Sequence, residues 1–457
     1  MGVTSELIRN VTDTSFEDFG TEVVAKARDR LMDVVGCMIA GANAPGCSML
    51  LDLLRHWGGR QEATIVVHGD KLPAHNAALL NSVMARSYDF EPAGPIVGGK
   101  STPAHISGTT IPAAIAVGEA NAASGKELLA ALILGDDLAS RVIAASNLNL
   151  DSGFDCTGTV NAFGAAAIAG RLLRLDAARM TNAFGIVLNQ LGGTFQNLFD
   201  GVHSFKLPQG LSAQAGVFAA ELAKRGFTGA RDPLFGKYGY FALYCKTYEP
   251  EVLTRNLGKE FYADETCKPY PCCRSNHAAI DCALEIVHDN HIELQDIDEV
   301  VVDVPAKALN FAVGQHFRIR EVPQIDAAFS LQYNVANAML RKNVKLEHYT
   351  DESVRDPDIM NIVDKIRLTG NLPADRPLAA CVKVRMKKGK EYTKRVDMPK
   401  GNGIYSPMTA AEKRDKFFRS ATFRGTMPVE KMERVLSLIE AMDEVDNVAN
   451  MMKLLVP

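Results

Sequence analysis

The stretch GKELLAALILGDDLASRVIAA, residues 125–145, decides how this chain folds. Its middle, Ala131-Leu-Ile-Leu-Gly-Asp136-Asp137, could pass for an apolar strand ending in acidic residues, one half of a nucleotide-binding sheet. Taken whole, the stretch sets its apolar residues at helical spacing and is dense in alanine with interspersed glycine. That is the pattern of a helix packed tightly on several sides. Thr110 to Ala123 and Val160 to Leu173 share the texture. Val23 to Ala40, with small Gly36 and Ala40, and the Ala/Leu-rich Asn76 to Ser87 extend it toward the start. Ala213 to Arg225 adds another helix, with Gly226 as its C-terminal cap. The exception is Ala63 to His68, a β-branched run expected to form one strand.

The texture changes near residue 262. Glu299 to Val304 alternates as a strand and stops at Pro305. Cys381 to Met386 alternates apolar and basic residues, then KKGKEY turns the chain into Thr393 to Met398, a hairpin with one buried face. Helices are expected beside these strands at Ala278 to Asn290 and Ala327 to Leu340. After Gly401 the chain returns to helix at Thr409 to Ala421 and Val429 to Met442, a pair too small to bury a core alone. The expected architecture is a mainly α-helical large domain, residues 1–262 and 401–457, with a smaller α+β lid domain over 263–400. At 457 residues the chain has the length for it.

Gly94-Pro-Ile-Val-Gly-Gly-Lys100-Ser101 satisfies the phosphate-cradling pattern G-x-x-x-x-G-K-[ST]. That loop works between a strand and a helix, where backbone N–H groups and the lysine meet the phosphates. Here a helical pattern precedes it and Pro103 follows it, so a P-loop NTPase is the distant alternative. Lys100 on a glycine-rich loop still suits carboxylates.

The apolar share of 47% and charged share of 23% are those of a soluble globular protein, and a formal charge of −4 marks no nucleic-acid or acidic-membrane partner. MGVTSELIRN lacks a basic region followed by an apolar run, so no secretory leader is expected. Nine cysteines without framework spacing read as reduced thiols in the cytoplasm. No four-ligand cluster suggests a metal.

Acid–base chemistry without a cofactor needs titratable side chains gathered from several loops. Asp89 stands where an Ala-rich helix ends. His105 stands immediately before the next helix, whose N-terminus favours anions and lowers a histidine pKa. Lys206 sits between glycine and proline in an otherwise helical region. Lys268-Pro-Tyr-Pro-Cys-Cys-Arg274-Ser-Asn-His277 has an extended entry set by two prolines, with Arg274 and His277 at the mouth of a helix. Taken singly, each has a plain structural reading: a turn aspartate, a solvated lysine, a histidine satisfying backbone groups.

Their joint order resembles the MmgE/PrpD family along essentially the whole chain. The resemblance runs through Asp89-Phe90, Pro103-Ala-His105, Ser124-Gly-Lys-Glu-Leu-Leu with Ser140-Arg-Val, and Gly153-Phe-Asp-Cys-Thr157. It continues through Phe205-Lys206, Tyr270-Pro271 with His277, Phe329-Ser-Leu-Gln-Tyr333 and Lys416-Phe417. The family includes 2-methylcitrate dehydratase, cis-aconitate decarboxylase and iminodisuccinate epimerase. It implies a helical domain with an α+β lid, and a catalytic set of Asp89, His105, Lys206, His277 and Tyr333 between them, working without cofactor or metal.

Two departures bear on the reaction. Glu91-Pro92 and a longer loop carrying Lys100 replace the family's usual acidic stretch. Gly153-Phe-Asp155-Cys-Thr157 has an aspartate where dehydratase and decarboxylase members resemble Gly-Phe-His-x-Thr. The resemblance therefore implies an epimerase acting on a polycarboxylate such as iminodisuccinate, with a tricarboxylate hydro-lyase or decarboxylase as the alternative. Lys100, Asp155, Lys268 and Arg274 would meet the substrate, Arg274 by bidentate pairing. His105 and either Lys206 or His277 would handle the proton on the two faces, with Tyr333 as donor and Asp89 as orienter. Ala-rich faces and the family suggest a homodimer.

Overall fold

A computed structural model describes residues 2–148 and 150–457. Its body is helical. The Gly125–Ala145 helix starts on a capping box, in which Ser124 and Glu127 exchange side-chain and backbone hydrogen bonds, and is buried along nearly its whole length. It packs on the Asn161–Leu172 helix, which in turn packs on Leu207–Lys224. Small residues permit this closeness. A Cβ at Gly135 would lie 2.4 Å from Ile168, and one at Gly216 would lie 2.5 Å from the Ala165 side chain. Ala74–Arg86 and Ser107–Ala120 complete the bundle around the same core. The alanine-rich faces are thus largely consumed within the subunit, although Leu211 and Phe218 on Leu207–Lys224 remain exposed.

The sheet of the second part has the order Ile366–Leu372, Ile297–Pro305, Ala380–Met386, Glu391–Val396. The first pair is parallel and the others antiparallel, with Val300 opposite Val384 and Val302 opposite Val382. Val300, Val302, Val304, Val382 and Val384 are buried, partly beneath the His277–Asp289 helix, while the charged residues between them face outward. The Ile366–Leu372 strand escapes the sequence reading because only Ile366 on it is buried, so no alternation shows.

Three expectations need correction. The strand at Ala63 to His68 is two residues long, Ala63–Thr64, because the chain turns at Val67 with φ of 70°. The helix at Ala327 to Leu340 is two helices, Pro323–Ala328 and Leu331–Arg341; Ser330 breaks it by capping the second, its hydroxyl accepting the Tyr333 N–H at 3.1 Å. The Gly94–Ser101 segment is a hairpin, Ala93–Val97 paired with Lys100–Ser101 around Gly98 and Gly99, both at positive φ. No helix opens after it, so the strand–loop–helix frame of a P-loop NTPase is absent there. The same hairpin strand pairs with Asp264–Thr266, Pro95 opposite Asp264.

The Ala410–Thr422 helix packs back on Thr21–Gly41, with Phe417 and Ser420 against Gly36. All nine cysteines are free thiols. Among the described residues no helix is long and apolar enough to cross a membrane.

Candidate active site

The Ala74–Arg86 helix is buried along nearly its whole length, and its last residue is a buried arginine. The chain then turns sharply. Asp89 adopts the left-handed region, φ 47°, which aspartate tolerates better than most side chains, and its carboxylate folds back onto Arg86. Glu91 follows two residues later, and the hairpin returns the chain to His105, just ahead of the Ser107–Ala120 helix.

Arg86 Nη1 contacts Asp89 Oδ1, Glu91 Oε1 at 2.7 Å and His105 Nδ1 at 2.9 Å. His105 Nδ1 lies 2.9 Å from Glu91 Oε1. An Nη1 has two hydrogens, and the two carboxylates use both; His105 Nδ1–H then donates to Glu91. That tautomer leaves Nε2 as a lone pair with no hydrogen-bond partner among the described residues. Lys268 reaches in from the other part of the chain, donating to the Asp89 carbonyl at 2.7 Å with Oδ1 3.0 Å away. Arg86 also lies 5.7 Å from the Phe205 ring centroid, a cation–π distance.

Burial would push the Glu91 carboxyl up, but Arg86, His105 and Lys268 outweigh it and hold Glu91 well below the usual carboxylate range. Burial would lower the Arg86 pKa, yet Asp89, Glu91 and Asp155 raise it. For His105, burial and then the Arg86 and Lys268 charges lower the pKa against the pull of Glu91, so the ring is neutral at pH 7. The arrangement is a neutral imidazole, oriented by a carboxylate, beside two cations that are themselves paired with Asp89 and Glu91.

Asp89, Glu91 and His105 also place three ligand-type atoms within 4.8 Å of one another. The point they share is already filled by Arg86 Nη1, so in this arrangement they do not form an open metal cage.

The structure thus brings Asp89, His105 and Lys268 together. Asp155 is close enough for its charge to act on Arg86, while its Oδ1 accepts the Thr157 N–H at 3.0 Å. Lys206 lies next to this group, buried, with Nζ donating to the Pro45 carbonyl at 2.7 Å and to Ser87 Oγ at 3.0 Å. Burial lowers its pKa, and no carboxylate pairs with it.

The remaining candidates stand apart. His277 spends both ring nitrogens internally, Nε2 on the Cys272 carbonyl at 3.2 Å and Nδ1 on Arg274 at 3.0 Å. Arg274 also donates to the Lys400 and Pro399 carbonyls, so it staples the 399–400 segment; burial drops its pKa to about 10. The Tyr333 hydroxyl donates to the His348 carbonyl, beneath Phe317 and Tyr349. Lys100 is nearly half exposed and faces Asn147 and Glu249 at 3.3 Å. In this structure these four do not share the His105 cluster's contacts.

Arg86 was missed by the sequence reading, although an arginine closing an Ala/Leu-rich helix is a legible signal. Glu91 was seen only as a departure. Lys416 is a further buried cation, on Asp33 at 2.6 Å and the Phe90 carbonyl at 2.8 Å, 4.1 Å from the Phe90 ring centroid. It backs the same turn from behind.

The MmgE/PrpD N-terminal domain model matches residues 5–253 and the C-terminal domain model residues 270–443. Cis-aconitate decarboxylase of Aspergillus terreus is 23% identical over 99% of this chain and 96% of its own length. A cis-aconitate decarboxylase-like protein of Aspergillus oryzae, oryM, is 23% identical over 99% of this chain and 97% of its own. With both domain models matched along most of its length, this chain belongs to the MmgE/PrpD family.

Proposed function

We propose that this enzyme is a cofactor-independent epimerase that removes and returns an α-proton on a small polycarboxylate, iminodisuccinate being the best fit. The observation that carries the reading is the Glu91–His105 pair. Its imidazole is neutral, held in one tautomer and has Nε2 free, which are the requirements for a general base near neutral pH. Arg86 and Lys268 are the cations beside His105 that would offset the charge of an enediolate. Lys206 is the group proposed for the opposite face, since burial without a counter-carboxylate favours its neutral, proton-accepting form. His277 is a poorer choice because both of its nitrogens are occupied.

Asp155 supports epimerase over lyase, because its carboxylate is tied to the Thr157 N–H and stands where lyase members resemble a histidine. The second reading, a cis-aconitate decarboxylase type of lyase, is favoured by the full-length similarity to proteins of that name. One experiment separates them. In D₂O, a single stereoisomer of iminodisuccinate should gain deuterium at its α-carbon as the other stereoisomers appear by NMR. Decarboxylation of cis-aconitate with no exchange on iminodisuccinate would replace the epimerase reading with the lyase one.

A homodimer in the cytoplasm is part of the same proposal. The Cys47–Trp57 helix exposes Met49, Leu53 and Trp57 at four-residue spacing, an apolar stripe suited to an isologous contact. Trp57→Glu is expected to convert a dimer to a monomer in light scattering; an unchanged mass would place the contact elsewhere.

A further inference from the structure

Asp264 is a buried carboxyl group that the reaction does not touch. It sits on the Asp264–Thr266 strand opposite Pro95, so the hairpin that leads to His105 fixes its position. Its Oδ2 accepts the N–H groups of Ile106 at 3.0 Å and Ser107 at 2.7 Å. These are the two residues after His105, and Ser107 begins the Ser107–Ala120 helix, whose first N–H groups have no partner within the helix. The other face of His105 is held by Asn161, whose side-chain amide donates to the His105 carbonyl at 2.6 Å. His105 is thus clamped on both sides through its backbone, independently of what Glu91 does to the ring.

The second oxygen of Asp264, Oδ1, has no hydrogen-bond partner, and the residue lines a cleft of about 110 Å³ between the Thr21–Gly41 helix and the 401–408 segment. The groups that face the carboxyl are the Ser107 hydroxyl, Asp136 from the Gly125–Ala145 helix and Arg30 from the Thr21–Gly41 helix. The cleft also carries Lys26, Asp29, Asp33, Glu265 and Lys413. Most of these have partners already: Lys413 with Asp29 at 2.6 Å, Lys26 with Glu265 at 3.7 Å, Arg30 with Asp136 at 3.2 Å. Arg30, the cation that faces Asp264, is thus engaged by Asp136 instead. Burial accordingly pushes its pKa up to about 8.

We propose that Asp264 is a positioning residue for His105: through Oδ2 it holds the first N–H groups of the following helix and so sets where the imidazole stands. This rests on the reading of His105 as the base, and two independent measurements keep the two apart. The first is thermodynamic. A carboxyl whose folded pKa is raised favours folding most below its unfolded pKa, near 4, and loses that contribution as pH rises to its folded pKa. Asp264→Asn keeps an acceptor for both N–H groups and never ionises. The Tm of wild type should therefore fall relative to Asp264→Asn between about pH 4 and pH 8, with the gap constant above that. A gap independent of pH would overturn the neutral-acid assignment.

The second measurement is kinetic. Asp264→Leu, which offers no acceptor, should lower kcat for α-proton exchange about 10-fold or more with KM little changed, and Asp264→Asn should rescue most of that loss. A leucine variant that folds and keeps full kcat, or an asparagine variant as slow as leucine, would overturn the positioning role. Full activity in His105→Ala would instead defeat the base assignment and with it the positioning claim, while the pH-dependent Tm gap would still stand. If the leucine variant does not fold, the asparagine comparison alone decides.

Discussion

Replacing His105 with alanine is expected to lower α-proton exchange by about 10³-fold while moving Tm by no more than about 2 °C. The ring contributes to chemistry through Nε2, which has no hydrogen-bond partner among the described residues, and to the fold only through Nδ1, whose removal leaves Arg86 still bonded to Asp89 and Glu91. Kinetics of deuterium uptake together with calorimetry test this directly. A variant that exchanges at the wild-type rate would remove His105 from the mechanism. The pH profile carries the same argument. Base function is lost when the imidazole is protonated, so the rate should hold through pH 6.5 and fall only below it, because burial, Arg86 and Lys268 depress the His105 pKa. Glu91 opposes that depression, so Glu91→Gln should move the descending limb further toward acid.

Arg86→Met is expected to cost about 3–5 kcal/mol in urea unfolding, the largest stability loss of any single substitution proposed here. The reason is not the worth of the ion pairs but what their loss leaves behind. Asp89 and Glu91 are almost fully buried, and Glu91 would keep only His105 as a bonded partner. The sign of the pH dependence follows from Glu91. Its folded pKa is held below the ordinary value, so the stability it confers is present above about pH 4.5 and is lost as pH falls. Without Arg86 that carboxyl prefers its proton, so the deficit of the variant should narrow below pH 4.5. A loss under about 1 kcal/mol, or one that widens in acid, would mean that the carboxylates find other partners.

Helices were legible wherever burial on several sides demanded small and apolar residues at helical spacing: Gly125–Ala145 is read to the residue. Where a local side-chain bond competes with that periodicity, reading failed, as at Ser330, whose hydroxyl ends one helix by starting another. The glycine-rich Gly94–Ser101 segment was ambiguous for a related reason. Its pattern fits a phosphate loop; the pairing of Ala93–Val97 with Lys100–Ser101 makes it a hairpin, and Asp264–Thr266, distant in sequence, holds that hairpin as a third strand.

The site divides along the same line. Asp89, His105, Lys206 and Lys268 stood out as candidates, since titratable groups beside helix ends and turns are conspicuous in an alanine-rich background, but only their joint order pointed to a site. Arg274, His277 and Tyr333 stand out equally, yet the structure spends them on carbonyls and on one another. Residue type and helix-end placement are local properties, and the sequence by itself determined them, together with the helical body and the family. Which nitrogen of His105 is free, which cation reaches Asp89 from across the chain and which acid sits behind Ile106 depend on contacts between segments 19 to 179 residues apart. Only the tertiary structure decided these, because the energy of a buried charge is set by whichever groups the fold places within a few ångströms of it.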